Sequence, residues 1–186
     1  MSSYCAHARE HPLHQPFHDR EHGFPVRGEA ALFERLILEI SQAGLNWDLV
    51  LKKRESLRRA YDGYDVDRVA AYGEADQARL LADPGVIRNR LKIRAAVHNA
   101  GVLRDLRGSH GGFAGWLDAH HPLPKADWVR LFRKTFTFTG GEITGEFLMG
   151  TGYLPGAHDP GCPAGERAAA LAPPWTTAPA GFYSAA

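Results

Sequence analysis

One carboxylate, Glu39, is the residue of this sequence whose position most suggests chemistry. It lies in the segment from 29 to 61, which is predicted to form two helices joined by a tight turn. Leu32, Leu36, Glu39 and Ala43 follow one another at spacings of four, three and four residues, so they share one otherwise apolar helical face. A buried charge is normally paired, protonated or directed at a polar ligand. The spacing therefore leaves two interpretations open, a structural glutamate paired with an arginine or placed at a helix end, and a ligand-binding carboxylate.

The turn after Glu39 supplies further candidates. Gly44 is suited to end the first helix in a left-handed conformation, and Asn46 is suited to cap the second helix. Leu45 is then left at the tip of the turn, where it would face solvent, and Trp47 stands beside it with a ring large enough to stack on a planar ligand. We predict a pocket for a flat ring that is polar or cationic, with Glu39 and Trp47 in its wall.

Two cysteines and two histidines near opposite ends of the chain have the residue types that bind zinc. Cys5 is followed by His18, and His158 precedes Cys162 with three residues between them. Two thiolates and two imidazoles form a tetrahedral ligand set with no position left for an activated water, so the predicted zinc is structural. It would tie the N-terminal arm to the C-terminal region. The alternative is that the spacing of these cysteines and histidines arises by chance, because half of the ten histidines lie within residues 1–28: His7, His11, His14, His18 and His22.

The elements that would position these residues are helices. No stretch alternates between polar and apolar residues over a strand's length, so we predict an all-α fold of about eight short helices. After residue 61 we predict a short helix capped by Asp65, a helix over 74–81, and the start of another helix at Asp83, before Pro84. A longer helix follows over 89–106, and short helices are predicted near 113–117, 127–134 and 142–149. Residues 1–28 contain three prolines and are predicted to form an irregular, extended arm. A single domain over 1–167 would be followed by an alanine- and proline-rich tail over 168–186, draped on the surface or loose.

Composition narrows the class of protein. A hydrophobic content of 44% is ordinary for a globular protein, and no apolar run approaches the length of a membrane span. The polar, histidine-rich N-terminus lacks the apolar core of a secretory signal, so we expect a cytoplasmic protein. The net charge of +1 is unevenly distributed. Six basic residues stand against one acid over 88–107, and six acids against two arginines over 62–83, which permits a basic face for a polyanion.

The segment LEISQAGLNWDLVLKKRE, residues 38–55, resembles the signature of the bacterial type I 3-methyladenine DNA glycosylases, a branch of the helix–hairpin–helix glycosylase superfamily. The resemblance extends from Cys5 to about Cys162. It implies a helix–hairpin–helix fold whose structural zinc is held by cysteine and histidine from both ends, here Cys5, His18, His158 and Cys162. The chain would then be a monofunctional hydrolase of base excision repair, acting as a monomer on damaged double-stranded DNA and releasing free 3-methyladenine.

The resemblance also implies roles for individual residues. Glu39 would accept hydrogen bonds from the amino edge of the extruded purine, and Trp47 would stack on its face. The turn with Gln42, Gly44 and Leu45 would fill the gap left in the duplex. The segment 136–143 would be the hairpin that offers backbone N–H groups to a DNA phosphate, and its candidate contacts are Thr139, Gly140 and Gly141.

The sequence departs from the family pattern at the pocket and at the hairpin. His7 and His22 stand where the family has tryptophans, and Phe17 stands where it has a tyrosine. A histidine side chain can become cationic near neutral pH, and a protonated ring at either position would disfavour a cationic base. Glu142 and Glu146 replace neutral residues and would repel phosphate. Two other functions therefore stay open: a protein that binds lesions or abasic sites with weak or altered excision, and a nucleosidase that acts on free nucleosides.

Overall fold

A computed structural model describes residues 3–184, and within that range the protein is built from α-helices with no β-strand. The all-α prediction is confirmed, although the helices outnumber the eight expected. No helix in residues 3–184 is both long enough and apolar enough to cross a membrane. The α-helices are α1 (Tyr4–Arg9), α2 (His14–Arg20), α3 (Glu29–Gln42), α4 (Trp47–Ala60), α5 (Val66–Ala70), α6 (Glu74–Ala82), α7 (Arg90–His110), α8 (Phe113–His120), α9 (Lys125–Thr135), α10 (Gly141–Gly150) and α11 (Pro163–Ala170). Two 3₁₀ turns, Asp62–Tyr64 and Pro174–Thr177, complete the set.

Helix α3 is the centre of the fold. All ten residues from Leu32 to Ser41 are buried, so this helix is enclosed on every side rather than on one stripe. It packs against α4, α7, α8 and α10. A helix in that position must also bury its polar residues, and three of those on α3 are charged. The candidate site follows from how each of these three charges is accommodated.

The turn between α3 and α4 is the one predicted from the sequence. Gly44 has φ +74° and reverses the chain, and the Asn46 side chain accepts a hydrogen bond from the Leu49 N–H at 2.8 Å. A contact that was not predicted holds the other side of this turn. The buried Lys92 ammonium of α7 donates to the carbonyl oxygens of Ser41 and Ala43, at 2.9 and 2.6 Å. These are carbonyls that the end of a helix leaves without partners, so Lys92 fixes the turn in place.

The N-terminal arm is not irregular, and the prediction of an extended arm is wrong. It contains α1 and α2, which pack against each other. Pro16 is the third residue of α2, within the first turn, where a backbone N–H has no partner inside the helix and its loss costs little. The prolines therefore delimit two short helices instead of preventing them.

The predicted helix start at Asp83 is also wrong. Asp83 ends α6, and its carboxylate accepts a hydrogen bond from the Gly85 N–H at 2.7 Å in a connecting turn. The next helix begins after Asn89, whose side chain accepts from the N–H groups of Leu91 and Lys92, and continues to His110, further than predicted.

The C-terminal segment follows the surface of the domain. Helix α11 runs across residue 167, where the sequence suggested that the domain ends. Beyond it, the Trp175 N–H donates to the Gly152 carbonyl at 3.0 Å, and Pro174 is buried. The Tyr183 hydroxyl lies 3.2 Å from His121 Nε2. The tail therefore contacts the domain as far as Tyr183.

Candidate active site

Glu39 differs from the two other buried charges of α3. The Glu34 carboxylate accepts from Arg54 at 2.9 Å and from Arg58 at 2.7 Å. The Arg35 guanidinium donates to the Gly150 carbonyl at 3.0 Å and lies 3.3 Å from the Glu21 carboxylate. Glu39 has no ion pair with any residue of the described chain within 4.0 Å, and its residue is only 8% exposed. The interpretation as a structural, arginine-paired glutamate is therefore wrong.

Burial controls the protonation of Glu39. Desolvation raises the pKa of this carboxyl to about 8, the positive charge of Arg35 opposes the rise, and the negative charge of Glu146 adds to it. Such a shift is typical of a carboxyl held in a low-dielectric site without a partner that satisfies it.

Glu39 opens into a cavity of about 350 Å³ whose walls combine aromatic rings with carboxylates. Trp47, the first residue of α4, meets Phe17 of α2 edge-to-face, with ring centroids 5.1 Å apart. Behind Phe17, the Arg35 guanidinium carbon lies 4.5 Å from the phenyl centroid. The volume suits one flat heterocycle. The lining residues are Tyr4, Phe17, His22, Glu39, Gln42, Trp47, Glu146, Met149, Gly156 and Ala157.

The structure brings together most of the predicted pocket residues and leaves out one. Glu39, Trp47, Phe17 and His22 all line the cavity, whereas His7 does not. His7 is exposed on α1, and its ring lies against His11 and His14, with centroids 5.3 and 4.8 Å away. The helical form of the arm explains this displacement, since it directs Tyr4 of the same helix towards the cavity instead.

Tyr4, Glu146 and Met149 are wall residues that sequence reasoning missed. Tyr4 precedes a predicted zinc ligand, and an aromatic residue beside a ligand was the only signal available. Burial raises the pKa of Tyr4 to about 12, so this phenol is neutral. Glu146 was considered only as a residue near DNA, but α10 places it in the cavity wall, where burial and the neighbouring Glu142 raise the pKa of its carboxyl.

His22 does not act as the cationic wall residue that we expected. Desolvation, followed by the nearby positive charge of Arg35, lowers the pKa of His22 to about 3. The imidazole is therefore neutral at physiological pH and does not repel a cation.

A second depression, of about 490 Å³, adjoins the cavity and runs between the α3–α4 turn and the start of α10. Glu39, Gln42 and Glu146 line both hollows. Leu45 lies at its edge and is 45% exposed, as predicted for a residue at the tip of the turn. A molecule in contact with this turn would therefore have direct access to the cavity that contains Glu39.

Helices α9 and α10 are joined by residues 136–140, which correspond to the predicted hairpin. The Gly140 and Gly141 backbone faces the second hollow. Thr139 is buried, and its hydroxyl donates to the Phe132 carbonyl at 3.1 Å, so its side chain does not face this hollow. The Asn99 amide of α7 bonds both backbone groups of Thr137 and fixes the loop.

The four predicted zinc ligands converge. The sulfur and nitrogen atoms of Cys5, His18, His158 and Cys162 lie within 4.8 Å of one another. His158 Nδ1 is 3.7 Å from each sulfur and 3.2 Å from His18 Nε2. The cluster joins α1 and α2 to the segment before α11.

The six basic residues over 88–107 lie in different environments, and one of them, Arg104, is exposed beside Asp105. Lys92 is buried under the α3–α4 turn, and Arg107 is paired with Glu29 and Asp67. Arg88, Arg90 and Arg94 are exposed around Lys92, close in sequence to the residue that holds the turn.

Comparison with known proteins agrees with this geometry. A family model described as methyladenine glycosylase matches residues 7–135. The chain is 45% identical over 96 residues to the DNA-3-methyladenine glycosylase 1 of Escherichia coli and 39% identical over 100 residues to the DNA-3-methyladenine glycosylase of Haemophilus influenzae. These alignments cover 52% and 54% of this chain and 51% and 54% of the relatives, so they span about half the length of each.

Solved structures match over more of the chain. A crystal structure of a 3-methyladenine DNA glycosylase I superimposes with a TM-score of 0.75 and 32% identity, covering 82% of this chain and 94% of the other. A structure described as the basis of 3-methyladenine recognition by the Staphylococcus aureus 3-methyladenine DNA glycosylase I gives a TM-score of 0.77 and 28% identity, covering 87% and 95%.

Proposed function

The chain belongs to the methyladenine glycosylase family, as residues 38–55 predicted, and we propose that it is a monofunctional DNA glycosylase that excises alkylated purines, chiefly 3-methyladenine, from double-stranded DNA. The observation that carries this proposal is Glu39, a buried carboxylate without an ion pair in residues 3–184 that faces a cavity lined by aromatic rings. The reaction is inferred from the family, and the residues that would carry it out are inferred from the geometry of this chain.

The cavity favours a flat cation over a neutral base. A 3-methyladenine nucleotide carries a positive charge on its base, and this charge weakens the glycosidic bond. A bound cation favours the ionised forms of Glu39 and Glu146, which then carry negative charge, and Trp47 and Phe17 supply aromatic surfaces that attract cations. Arg35, whose charge also acts on Glu39, is engaged by the Gly150 carbonyl, by Glu21 and by the Phe17 ring.

The reaction that fits this arrangement needs little acid catalysis. Once the nucleotide is flipped into the cavity, the Glu39 carboxylate accepts hydrogen bonds from the amino edge of the base and holds it in place. Water adds to the anomeric carbon of the sugar while the carbon–nitrogen bond breaks. The base leaves with the bonding electron pair, which cancels its positive charge, and water gives up a proton to solvent.

We propose that the α3–α4 turn and the segment joining α9 to α10 bind the duplex on either side of the cavity mouth. Leu45, with Gln42 and Gly44, would enter the gap left by the flipped nucleotide. The backbone N–H groups at Gly140 and Gly141 would meet a phosphate at the start of α10, as in a helix–hairpin–helix module. Glu142, in the first turn of α10, weakens this contact by repulsion.

We further propose that Cys5, His18, His158 and Cys162 hold a structural zinc. The bond lengths of tetrahedral zinc place sulfur and nitrogen ligands about 3.6 Å apart and two nitrogens about 3.3 Å apart, close to the 3.7 and 3.2 Å found here. The remaining ring nitrogens are oriented by partners. His18 Nδ1 is 2.7 Å from the Asp19 carboxylate, and His158 Nε2 is 2.6 Å from the His22 carbonyl. Such outer partners fix a histidine for metal binding, and the bound ion would join both ends of the domain.

Base release from methylated duplex DNA, with the freed bases separated by chromatography, tests the proposed function. The wild-type protein should release 3-methyladenine, and Glu39→Gln should lower that release at least tenfold while the protein stays folded. Glu55→Gln, the same substitution at an exposed position of α4, is the matched control and should retain wild-type release. Binding to damaged DNA without base release would support the lesion-binding alternative, and release from free nucleosides alone would support the nucleosidase.

A further inference from the structure

Three histidines that the proposed function does not use lie together on the outer side of the N-terminal arm. His7 is on α1, His11 lies between α1 and α2, and His14 is the first residue of α2. One ring nitrogen of each lies within 4.8 Å of the other two. The ring centroids are 4.5 Å apart for His11 and His14 and 4.8 Å apart for His7 and His14.

A carboxylate from another helix completes this group. Oδ1 of Asp48, on the first turn of α4, lies 3.6 Å from His11 Nε2 and 3.8 Å from His14 Nε2. The other oxygen, Oδ2, bonds the Lys52 ammonium at 2.7 Å. Lys52 therefore occupies only Oδ2, and Oδ1, which faces the histidines, remains able to bind an ion.

The histidine nitrogens lack partners that would explain their burial. His14 is 3% exposed, and neither of its ring nitrogens has a hydrogen-bond partner in residues 3–184. His11 Nδ1 is buried and unpartnered in the same way. An unsatisfied buried polar atom costs about 1–3 kcal/mol, so the unpartnered His14 Nε2, which lies 3.8 Å from Asp48 Oδ1, indicates a missing ligand rather than ordinary packing.

We propose that His7, His11, His14 and Asp48 bind a second divalent transition-metal ion, for which zinc is the best match. Neutral imidazoles and one carboxylate oxygen are a ligand set that suits zinc, and four of them give tetrahedral coordination. Tetrahedral zinc needs ligand atoms about 3.3 Å apart, so the contacts of Asp48 must shorten by only a few tenths of an ångström. His7 is exposed and is free to rotate towards the ion.

The location gives this ion a structural consequence. Asp48 follows Trp47 directly, and Trp47 is part of the cavity wall, so the ion would fasten the α1–α2 arm to α4 at the edge of the cavity. The site shares no ligand with Cys5, His18, His158 and Cys162. Binding of this ion therefore depends neither on glycosylase activity nor on zinc at the cysteine-containing site.

Metal content measured on untagged protein tests the proposal, because a histidine tag would bind metal itself. Zinc-loaded protein is separated from free ion by gel filtration and analysed by mass spectrometry. We expect two ions per wild-type chain, one for His11→Ala and one for Asp48→Asn. His98→Ala, which removes an exposed histidine of α7, is the matched control and should keep two ions. A His11→Ala or Asp48→Asn chain that binds as many ions as wild type would overturn the proposal, whatever the occupancy of the cysteine-containing site.

Cobalt substitution assigns each ion to its site. Cobalt bound by cysteines absorbs in the near ultraviolet through charge transfer from sulfur, whereas cobalt bound by histidines and a carboxylate shows only weaker visible bands. Titration of wild-type protein should develop both signals. His7→Ala, at an exposed position that does not disturb packing, should lose a part of the visible signal while the sulfur band keeps its intensity. Loss of the sulfur band, or no change in the visible signal, would refute the assignment.

Discussion

Replacing Glu39 by glutamine should stabilise the protein at neutral and alkaline pH. The folded state raises the pKa of this carboxyl from 4.5 to about 8. At 1.36 kcal/mol per pKa unit, the buried charge costs at most about 5 kcal/mol of folding free energy. The sign follows from proton binding. Between pH 4.5 and 8 the folded state holds a proton that the unfolded state has lost, so the free energy of unfolding falls as pH rises through this interval.

Glutamine does not titrate, so the stability difference between Glu39→Gln and wild type should depend on pH. The difference should be small near pH 4.5 and should grow to its full value above pH 8. For a chain of 186 residues, a few kcal/mol correspond to an increase in Tm of about 10 °C. Thermal unfolding followed by circular dichroism at pH 5, 7 and 8.5 measures this increase, with Glu55→Gln as the control for a substitution outside the cavity.

The same ionisation should appear in catalysis. The pH dependence of kcat/KM reports the ionisations of the free enzyme. The ionised carboxylate is the form that attracts a cationic base, so kcat/KM of the wild type should rise with pH up to about 8, and this rise should be absent in Glu39→Gln. A stability difference that does not change with pH would refute the assignment of the raised pKa to Glu39. Undiminished base release by the variant would refute its role in binding the base.

Four further substitutions test other parts of the site. Cys162→Ser should remove one zinc ion and lower Tm by 10 °C or more, which metal analysis and calorimetry measure. A wild-type protein that binds no zinc at the site containing Cys162 would contradict this expectation. Leu45→Ala should change stability by less than about 1 kcal/mol, because the side chain is 45% exposed, yet lower base release from duplex DNA at least tenfold; equal release would favour a nucleosidase. Glu142→Gln should tighten DNA binding severalfold at low salt, measured by fluorescence anisotropy, and unchanged affinity would place the hairpin away from phosphate. Lys92→Met should slow base release without changing the Kd of free 3-methyladenine, because the substitution removes the hydrogen bonds that hold the α3–α4 turn against α7. Release at the wild-type rate would show that these hydrogen bonds are not needed.

Local rules explain why part of the site could be predicted from the sequence. The face that Glu39 occupies follows from helical periodicity, the Asn46 cap and the Gly44 turn follow from backbone preferences, and an apolar residue left at the tip of a turn must face solvent. Each of these features depends on residues within one or two helical turns. The structure confirms all of them.

The rest of the site depends on contacts between distant segments. Lys92 is one of six basic residues in its segment, and only the packing of α7 against α3 separates it from the exposed arginines. The sequence could not show that Tyr4 rather than His7 lines the cavity. The prolines of the arm prevented the prediction of α1, so it was unknown which of its residues share a face. Glu146 reaches the cavity only because α10 crosses α3.

The balance of charge around α3 suggests how the cavity could distinguish a lesion from a normal base. Glu34 and Arg35 both have an ion-pair partner, whereas Glu39 has none within 4.0 Å in residues 3–184, and the charge of Arg35 offsets only part of the cost of burying its carboxylate. A neutral adenine that entered the cavity would offer no positive charge to the ionised form of Glu39, whose pKa burial raises to about 8. A cationic base would compensate it, and every 1.4 kcal/mol of that compensation favours the cation tenfold. We therefore propose that the unfavourable burial of the ionised Glu39 carboxylate in the free protein is what would favour a charged base.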